Sequence, residues 1–451
     1  MSIDPSIFKA YDVRAVYPSE INETAARAIG RAFVAYLNAS RIGVSRDMRV
    51  SSPSLSAAFI EGAREQGATV VDLGMCATDM MYFGVASLDL DGGVQITASH
   101  NPGKYNGIKM VRRDAFPLSG EAGISEIREM VTTGPIPAPT RPRGGIEHIS
   151  LLDGYVARVM SFIDPSIIKP FNVVLDAGSG MAGLVAPRLF AQLPCKTTRL
   201  CFEIDGSFPN HEANPLIEEN RVDITERVIA DKADIGIAWD GDADRCFFLD
   251  GTGEFISGDF VTALLAEAAL AKSPGANIVY DVRASYAVKD TVTRLGSQAL
   301  MNRVGHSFMK RRMRDEDAVF GGEVTGHYYF RDFYYADNGF IPALLILELM
   351  SQKNMTLHDL LAPLRSKYFI SGEINPRVND MATLGVKLKE LAAKYSGGHS
   401  YTMDGFSVEF PDWHFNVRGS NTEPYLRLNL EALTPEMMVA KRDEVLALIR
   451  S

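Results

Sequence analysis

The chain is 451 residues long, with 46% hydrophobic and 23% charged residues and a formal net charge of −10. That length exceeds one hydrophobic core and points to three or four domains, and the composition excludes a disordered chain. The negative balance excludes general nucleic-acid binding, while leaving room for a few cations in a cleft to hold a small phosphorylated ligand.

The N-terminus, Met1-Ser2-Ile3-Asp4-Pro5, lacks the basic and apolar regions of a signal peptide. The most apolar stretch, Ile341–Leu347, soon meets Glu348 and is too short to span a bilayer. Cys76, Cys195, Cys201 and Cys246 show no C-x-x-C spacing and read as reduced, mostly buried thiols. Together these features predict a soluble cytoplasmic protein with no membrane partner.

In chain order, apolar runs alternate with helical patterns, which predicts α/β organisation. The run Gly93-Val94-Gln95-Ile96 leads into Thr97-Ala98-Ser99-His100-Asn101-Pro102, and Lys109 follows Tyr105-Asn106-Gly107-Ile108. A strand that delivers a serine into a turn, with Asn-Pro and Asn-Gly behind it, is how a rigid sheet presents a nucleophile. Alone, the Ser-His pair reads as an ordinary polar turn. The Pro/Gly-rich run from Thr132 to Gly145 can be neither helix nor central strand and reads as a linker.

Val173-Val174-Leu175-Asp176 then breaks into Gly178-Ser179-Gly180, with a helix from about Gly183. The glycine spacing meets a dinucleotide fingerprint only loosely, so a strand-to-helix turn needing small residues is the better reading. Ile235–Trp239 runs into Asp240-Gly241-Asp242-Ala243-Asp244-Arg245. Three alternate carboxylates just past a strand suit Mg²⁺ or Ca²⁺, and without a cation they would repel one another. An EF-hand fails on spacing, because Arg245 stands where glycine is needed and Gly251 where a bidentate glutamate is needed. Arg245 itself can pair with a carboxylate or reach a phosphate.

Ile278–Asp281 opens another strand-then-turn unit, and such units near 93, 173 and 278 hint at three similar domains. In Gly321-Gly322-Glu323-Val324-Thr325-Gly326-His327, a carboxylate and a hydroxyl stand between glycines, suited to vicinal sugar hydroxyls. The glycine flanks favour exposure of Glu323 in a cleft. The tail from about Phe369 alternates as strands do (Phe406–Phe410, Tyr425–Leu430) and closes on a helix-like run from Pro435 to Ile449, which predicts a smaller α+β domain. Within it, Arg418-Gly419-Ser420-Asn421-Thr422-Glu423-Pro424 has the composition of a phosphate cradle.

These four loops, with Phe8-Lys9-Ala10-Tyr11-Asp12-Val13-Arg14, fall in order over essentially the whole chain. They resemble the motifs of the α-D-phosphohexomutase family, and within it the bacterial phosphomannomutase/phosphoglucomutase group. The resemblance implies an α/β protein with three related mixed α/β domains and a smaller C-terminal α+β domain around a central cleft. The domains would span 1–140, 146–250, 251–367 and 368–451, each lending one loop. The implied reaction is reversible phosphoryl transfer between the 1- and 6-positions of a mannose or glucose monophosphate. Ser99 would be carried as phosphoserine, with a hexose 1,6-bisphosphate as intermediate and glucose 1,6-bisphosphate as activator. Mg²⁺ would be held by Asp240, Asp242, Asp244 and a phosphoserine oxygen.

By the same resemblance, Arg14, Lys109 and Arg245 would stabilise the transferring group, Lys109 and His306 (in Val304-Gly305-His306-Ser307) are candidates for acid/base work, and His100 would orient the loop. Glu323 and Thr325 would bind the 3- and 4-hydroxyls. Arg418, Ser420, Asn421 and Thr422 would grip the non-transferring phosphate, with Tyr11 and Arg283 nearby. The partner would be a small phosphosugar, the protein a monomer or weak homo-oligomer. Ala15 follows Arg14 where the family often has glycine, and Thr325 replaces a common serine while keeping the hydroxyl. Competing readings are a phosphoglucosamine mutase, a metal-dependent sugar-phosphate phosphatase using Ser99, and a phosphoserine-bearing regulator without turnover.

Overall fold

The computed structural model describes residues 3–120, 122–378, 380–419 and 425–451. The first domain is built on a sheet whose strands run, edge to edge, Asp12–Val16, Tyr105–Arg112, Gly92–Ile96, Arg41–Arg46, Thr69–Met75 and Ile146–His148. The first three pair antiparallel and the last four parallel. Gly92–Ile96 is buried at every position and Arg41–Arg46 at its four central ones, which is why neither alternates in sequence.

The last strand of that sheet corrects the expected boundary at 146. Residues 133–145 carry no regular secondary structure, yet they are not a free linker. Gln66 donates to the Pro137 carbonyl at 2.8 Å, Arg141 to that of Ala39 at 2.8 Å, and Gly144 N–H to that of Arg64 at 2.9 Å. The run is strapped across the first domain and ends as its edge strand, and the second sheet begins only at Asn172.

The second sheet runs Cys246–Asp250, Ile235–Trp239, Asn172–Asp176, Lys196–Leu200, and the third runs Ala336–Asp337, Tyr328–Phe330, Phe320–Gly322, Ile278–Asp281, Ala299–Asn302. Both repeat the order of the first: an antiparallel return strand, the strand that enters the loop, then two parallel neighbours. The counterparts of Gly92–Ile96 are therefore Ile235–Trp239 and Phe320–Gly322. The units near 173 and 278 are instead counterparts of Arg41–Arg46. Three related α/β domains thus raise loops 97–104, 240–245 and 323–327 from the same sheet position.

The fourth domain is an antiparallel sheet, Phe369–Ile374, Leu426–Ala432, Trp413–Gly419, Phe406–Glu409, His399–Tyr401, covered by helices Met381–Lys394 and Pro435–Arg450. One apolar core runs continuously through the first three domains, from Met48 through Trp239 and Phe340 to Tyr368. The fourth domain has its own, from Val378 to Ile449. Helix Ile341–Lys353, the most apolar stretch, is buried from Ile341 through Ser351 and packs against helices Gly258–Lys272 and Leu152–Met160. Among the described residues, no helix is long and apolar enough to cross a membrane.

Candidate active site

Ser99 sits on the loop after Gly92–Ile96 with φ 52°, a left-handed conformation uncommon for a non-glycine residue. Its N–H donates to Thr97 Oγ1 at 2.9 Å, which holds the turn. Its hydroxyl is buried and donates to Asp240 Oδ2 at 2.7 Å, with His100 Nδ1 at 3.3 Å and Arg245 Nη2 at 3.4 Å. Burial and the cations Arg245 and Arg14 hold His100 well below the usual imidazole range, so it is a neutral neighbour of the hydroxyl. Arg14 reaches the same loop, donating to Asn101 Oδ1 at 2.6 Å from beside Asp12.

Asp240, Asp242 and Asp244 present carboxylate oxygens within 4.8 Å of one another. Lys109, delivered by the strand antiparallel to Gly92–Ile96, places Nζ 2.7 Å from Asp242 and 2.5 Å from Asp244. Arg245 pairs with Asp240 at 2.8 Å, and Thr78 donates to Asp242 at 2.6 Å. Burial opposes ionisation throughout this cluster. The Asp242 and Asp244 charges override it at Lys109 and keep the ammonium protonated, while burial and the neighbouring carboxylates push Asp244 up to about 6. Three carboxylates against two cations leave one negative charge uncompensated, and Oδ1 of Asp242 and of Asp244 are buried without a partner. Orphaned hard oxygens of this kind fit a divalent cation, which would turn the local balance to the sign a phosphoryl group needs.

Across the cleft, His327 Nδ1 lies 3.0 Å from Asp337 and 3.9 Å from Asp244, and Lys310 is buried against Asp337 at 2.6 Å. Burial and the Lys310 ammonium hold His306 well below its usual range. The neutral imidazole keeps Nδ1 buried and unpartnered beside the Tyr11 ring. A cavity of about 270 Å³ is lined by Tyr11, Arg14, Ser99, Lys109, His306 and His327, among others.

Glu323 is only 2% exposed, contrary to the exposure expected from its glycine flanks. Its carboxylate accepts from Gly305 N–H at 2.9 Å and Tyr329 O–H at 2.5 Å, because the return strand folds the tyrosine back over it. Thr325 is half-buried on the same loop. Arg283 and Arg418 meet at Glu373, 3.2 and 3.5 Å away, with Arg427 at 3.4 Å. That cluster joins the third and fourth domains. Ser420, Asn421 and Thr422 lie outside the described residues.

Arg49, Thr78, Lys310, Asp337 and His327 belong to this site and carried no assigned role in the sequence reading. One signal for Arg49 was present: Asp47-Met48-Arg49 and Asp281-Val282-Arg283 stand at equivalent strand-to-helix junctions, each aspartate accepting from the arginine's own N–H. The loosely glycine-rich turn 178–183 also finds its reason here. A Cβ on Gly180 would lie 2.6 Å from the Gly241 carbonyl, so a bare backbone is needed where this turn supports the aspartate loop.

Three domain descriptions match this chain: phosphoglucomutase/phosphomannomutase alpha/beta/alpha domain I over residues 5–135, domain II over 153–253 and domain III over 257–368. A phosphomannomutase of Escherichia coli is 42% identical over 454 aligned positions, covering 98% of this chain and 99% of that one. Phosphohexose mutases of Xanthomonas campestris pv. campestris are 43% identical over 94% of both chains. The crystal structure of a phosphoglucomutase/phosphomannomutase family protein from Burkholderia thailandensis superposes with a TM-score of 0.89 at 34% identity, covering 99% of this chain and 97% of that one.

Proposed function

The chain belongs to the phosphoglucomutase/phosphomannomutase family and is a reversible phosphohexose mutase, and from that premise we propose that Ser99 carries the phosphoryl group between the 1- and 6-positions of mannose or glucose phosphate. The observation that carries this reading is the Ser99 hydroxyl, 2.7 Å from Asp240 and 3.4 Å from Arg245, in a cavity that Arg14 and Lys109 also line.

In the forward step, the bond from phosphorus to Ser99 Oγ breaks as phosphorus joins the free sugar hydroxyl. Oγ keeps the bonding pair as an alkoxide beside the Arg245 guanidinium, ready to take back a phosphoryl group in the second step. The hydroxyl proton passes to His306, whose neutral, bare Nδ1 suits a base. Lys109, held protonated, stabilises charge on the transferring oxygens instead of accepting a proton. The resulting 1,6-bisphosphate turns over, and the other phosphate returns to Ser99 while His306 gives back its proton. Arg418 and Arg283, with Ser420, Asn421 and Thr422, hold the distal phosphate in either orientation. Glu323 and Thr325 read the 3- and 4-hydroxyls, which the two orientations present alike. Mg²⁺, held by Asp240, Asp242, Asp244 and a phosphoserine oxygen, supplies charge neutralisation when bound. A hexose 1,6-bisphosphate restores the phosphoserine whenever it is lost.

A coupled assay tests the reading. With Mg²⁺ and glucose 1,6-bisphosphate, mannose 1-phosphate or glucose 1-phosphate should yield its 6-phosphate, faster than glucosamine 1-phosphate does. Release of inorganic phosphate at a comparable rate would instead make the protein a phosphatase. Ser99→Ala should lose covalently retained labelled phosphate and lower kcat by roughly a thousandfold or more; persistent labelling would place the phosphosite elsewhere.

A further inference from the structure

A second cluster of metal-ligating side chains lies in the second domain, outside the cleft. Asp176 ends the strand Asn172–Asp176, Cys201 follows the strand Lys196–Leu200, and His211 folds back from the loop beyond. His211 Nε2 stands 3.0 Å from Asp176 Oδ2 and 3.6 Å from Cys201 Sγ, and all three donor atoms lie within 4.8 Å of one another. Asp176 is buried and the other two are half-buried. The thiol and the carboxylate face the same ring nitrogen. A nucleophilic relay would need them on opposite nitrogens, so the geometry is one of convergence on a point.

The opposite nitrogen, Nδ1, lies 3.0 Å from the Glu212 carbonyl, the outer partner that fixes Nε2 as the ligating atom in metal-binding histidines. In tetrahedral zinc sites, with bonds of about 2.0–2.3 Å, ligand atoms stand about 3.3–3.6 Å apart, close to what is seen here. Cys201 also holds φ 53°, pinned by Ser179 N–H on its carbonyl at 2.8 Å. Such strain persists where surrounding structure overrides it.

We propose that Asp176, Cys201 and His211 form a binding site for a borderline transition metal of the Zn²⁺ class, distinct from the aspartate loop that suits Mg²⁺. On binding, the thiol proton and the Nε2 proton leave. Thiolate and carboxylate then balance the two positive charges, so the half-buried centre is neutral. The sulfur ligand disfavours Mg²⁺ here, and excess Mg²⁺ fills the all-oxygen aspartate loop without competing for this site. The site lies against the turn 177–181, whose Met181 N–H holds the Gly241 carbonyl at 2.9 Å, so a bound ion would brace the catalytic loop from beneath.

The test is a Co²⁺ titration of chelator-treated protein in excess Mg²⁺. Wild type should develop a thiolate-to-cobalt charge-transfer band that saturates at one equivalent. The band should vanish in Cys201→Ser and need at least about tenfold more Co²⁺ in His211→Gln. No band, or a band that survives in Cys201→Ser, would overturn the proposal. Should the variants fail to fold, the unaltered chain still decides: Zn²⁺ in excess Mg²⁺ should slow alkylation of Cys201, read by peptide mass spectrometry, and an unchanged rate overturns the site. Neither readout depends on mutase activity, so failure here leaves the Ser99 mechanism untouched.

Discussion

Arg49 is wholly buried and donates to the carbonyls of Ser99 at 2.8 Å, Pro102 at 2.9 Å and Tyr105 at 3.0 Å, with Asn101 also in reach. Its Nε faces the equally buried Asp47 at 3.2 Å. A planar guanidinium can serve several carbonyls at once, and a lysine cannot. Arg49→Lys should therefore keep the fold but loosen the Ser99 loop, lowering kcat by about 10–100-fold at a nearly unchanged KM in steady-state kinetics. Arg49→Ala leaves the Asp47 charge unpaired and should cost about 3–5 kcal/mol in urea unfolding. At this scale the sequence was legible where chemistry is crowded into one contiguous stretch, as for Ser99 or the three aspartates. It was silent where partners are distant: Arg49 serves Ser99 from fifty residues away, and Thr78 serves Asp242 across 164.

Among the elements, the turn 177–181 and the strand Gly92–Ile96 decide how the catalytic loops are held. Gly180→Ala forces a methyl to 2.6 Å from the Gly241 carbonyl, so the aspartate loop must shift while Asp240, Asp242 and Asp244 are all retained. The half-activating Mg²⁺ concentration should rise severalfold with the Asp240–Asp244 set intact, and an unchanged value would show the loop to be independent of this turn.

Before the strand Gly92–Ile96, Asp91 accepts from Ser40 N–H and O–H at 2.8 Å and from Arg41 N–H at 3.1 Å, and pairs with Arg113 at 2.7 Å. Burial works against its ionisation, but these bonds prevail and pull the carboxyl from 3.8 down to about 2. A depressed carboxyl stabilises the fold above its unfolded value and loses that effect as pH falls through the folded one. Asp91→Asn should thus cost about 1–2 kcal/mol at neutral pH, after discounting for its partial exposure, and almost nothing near pH 2, as read by urea denaturation across pH. Strands and the terminal helix were legible because burial fixes their patterns. The 133–145 run was misread because proline and glycine report the absence of helix and strand, not the absence of contact. The threefold repeat was only hinted at, through units near 93, 173 and 278 that are not all counterparts, because it lies in strand order, which the differing loop sequences hide.

For the molecule as a whole, the separation of the cores matters most. Among the described residues, the fourth domain lends only Ile370 and Leu433 to the larger core and otherwise meets the third through polar contacts: Arg283 with Glu373 at 3.2 Å, Tyr286 N–H with Glu431 at 3.1 Å, and Val304 N–H with Asp404 at 3.0 Å. Interfaces of this polarity allow domains to move and to unfold apart. Calorimetry should resolve two transitions, the smaller one belonging to residues 369–451, and raising salt should lower its midpoint first; a single cooperative peak at every ionic strength would contradict this. Such motion would let the arginines at Glu373 close on a phosphate and release it.

Helix Ile341–Lys353 has a consequence for how the protein is made. It packs against helices Leu152–Met160 and Gly258–Lys272, both synthesised before it. Until this segment leaves the ribosome, the nascent chain has finished strands and loops around an apolar groove with nothing to fill it. The groove's lining is then open to wrong partners. A ribosome stalled before residue 341 should hold a chain that chaperones bind, and one stalled well past Lys353 a chain they release.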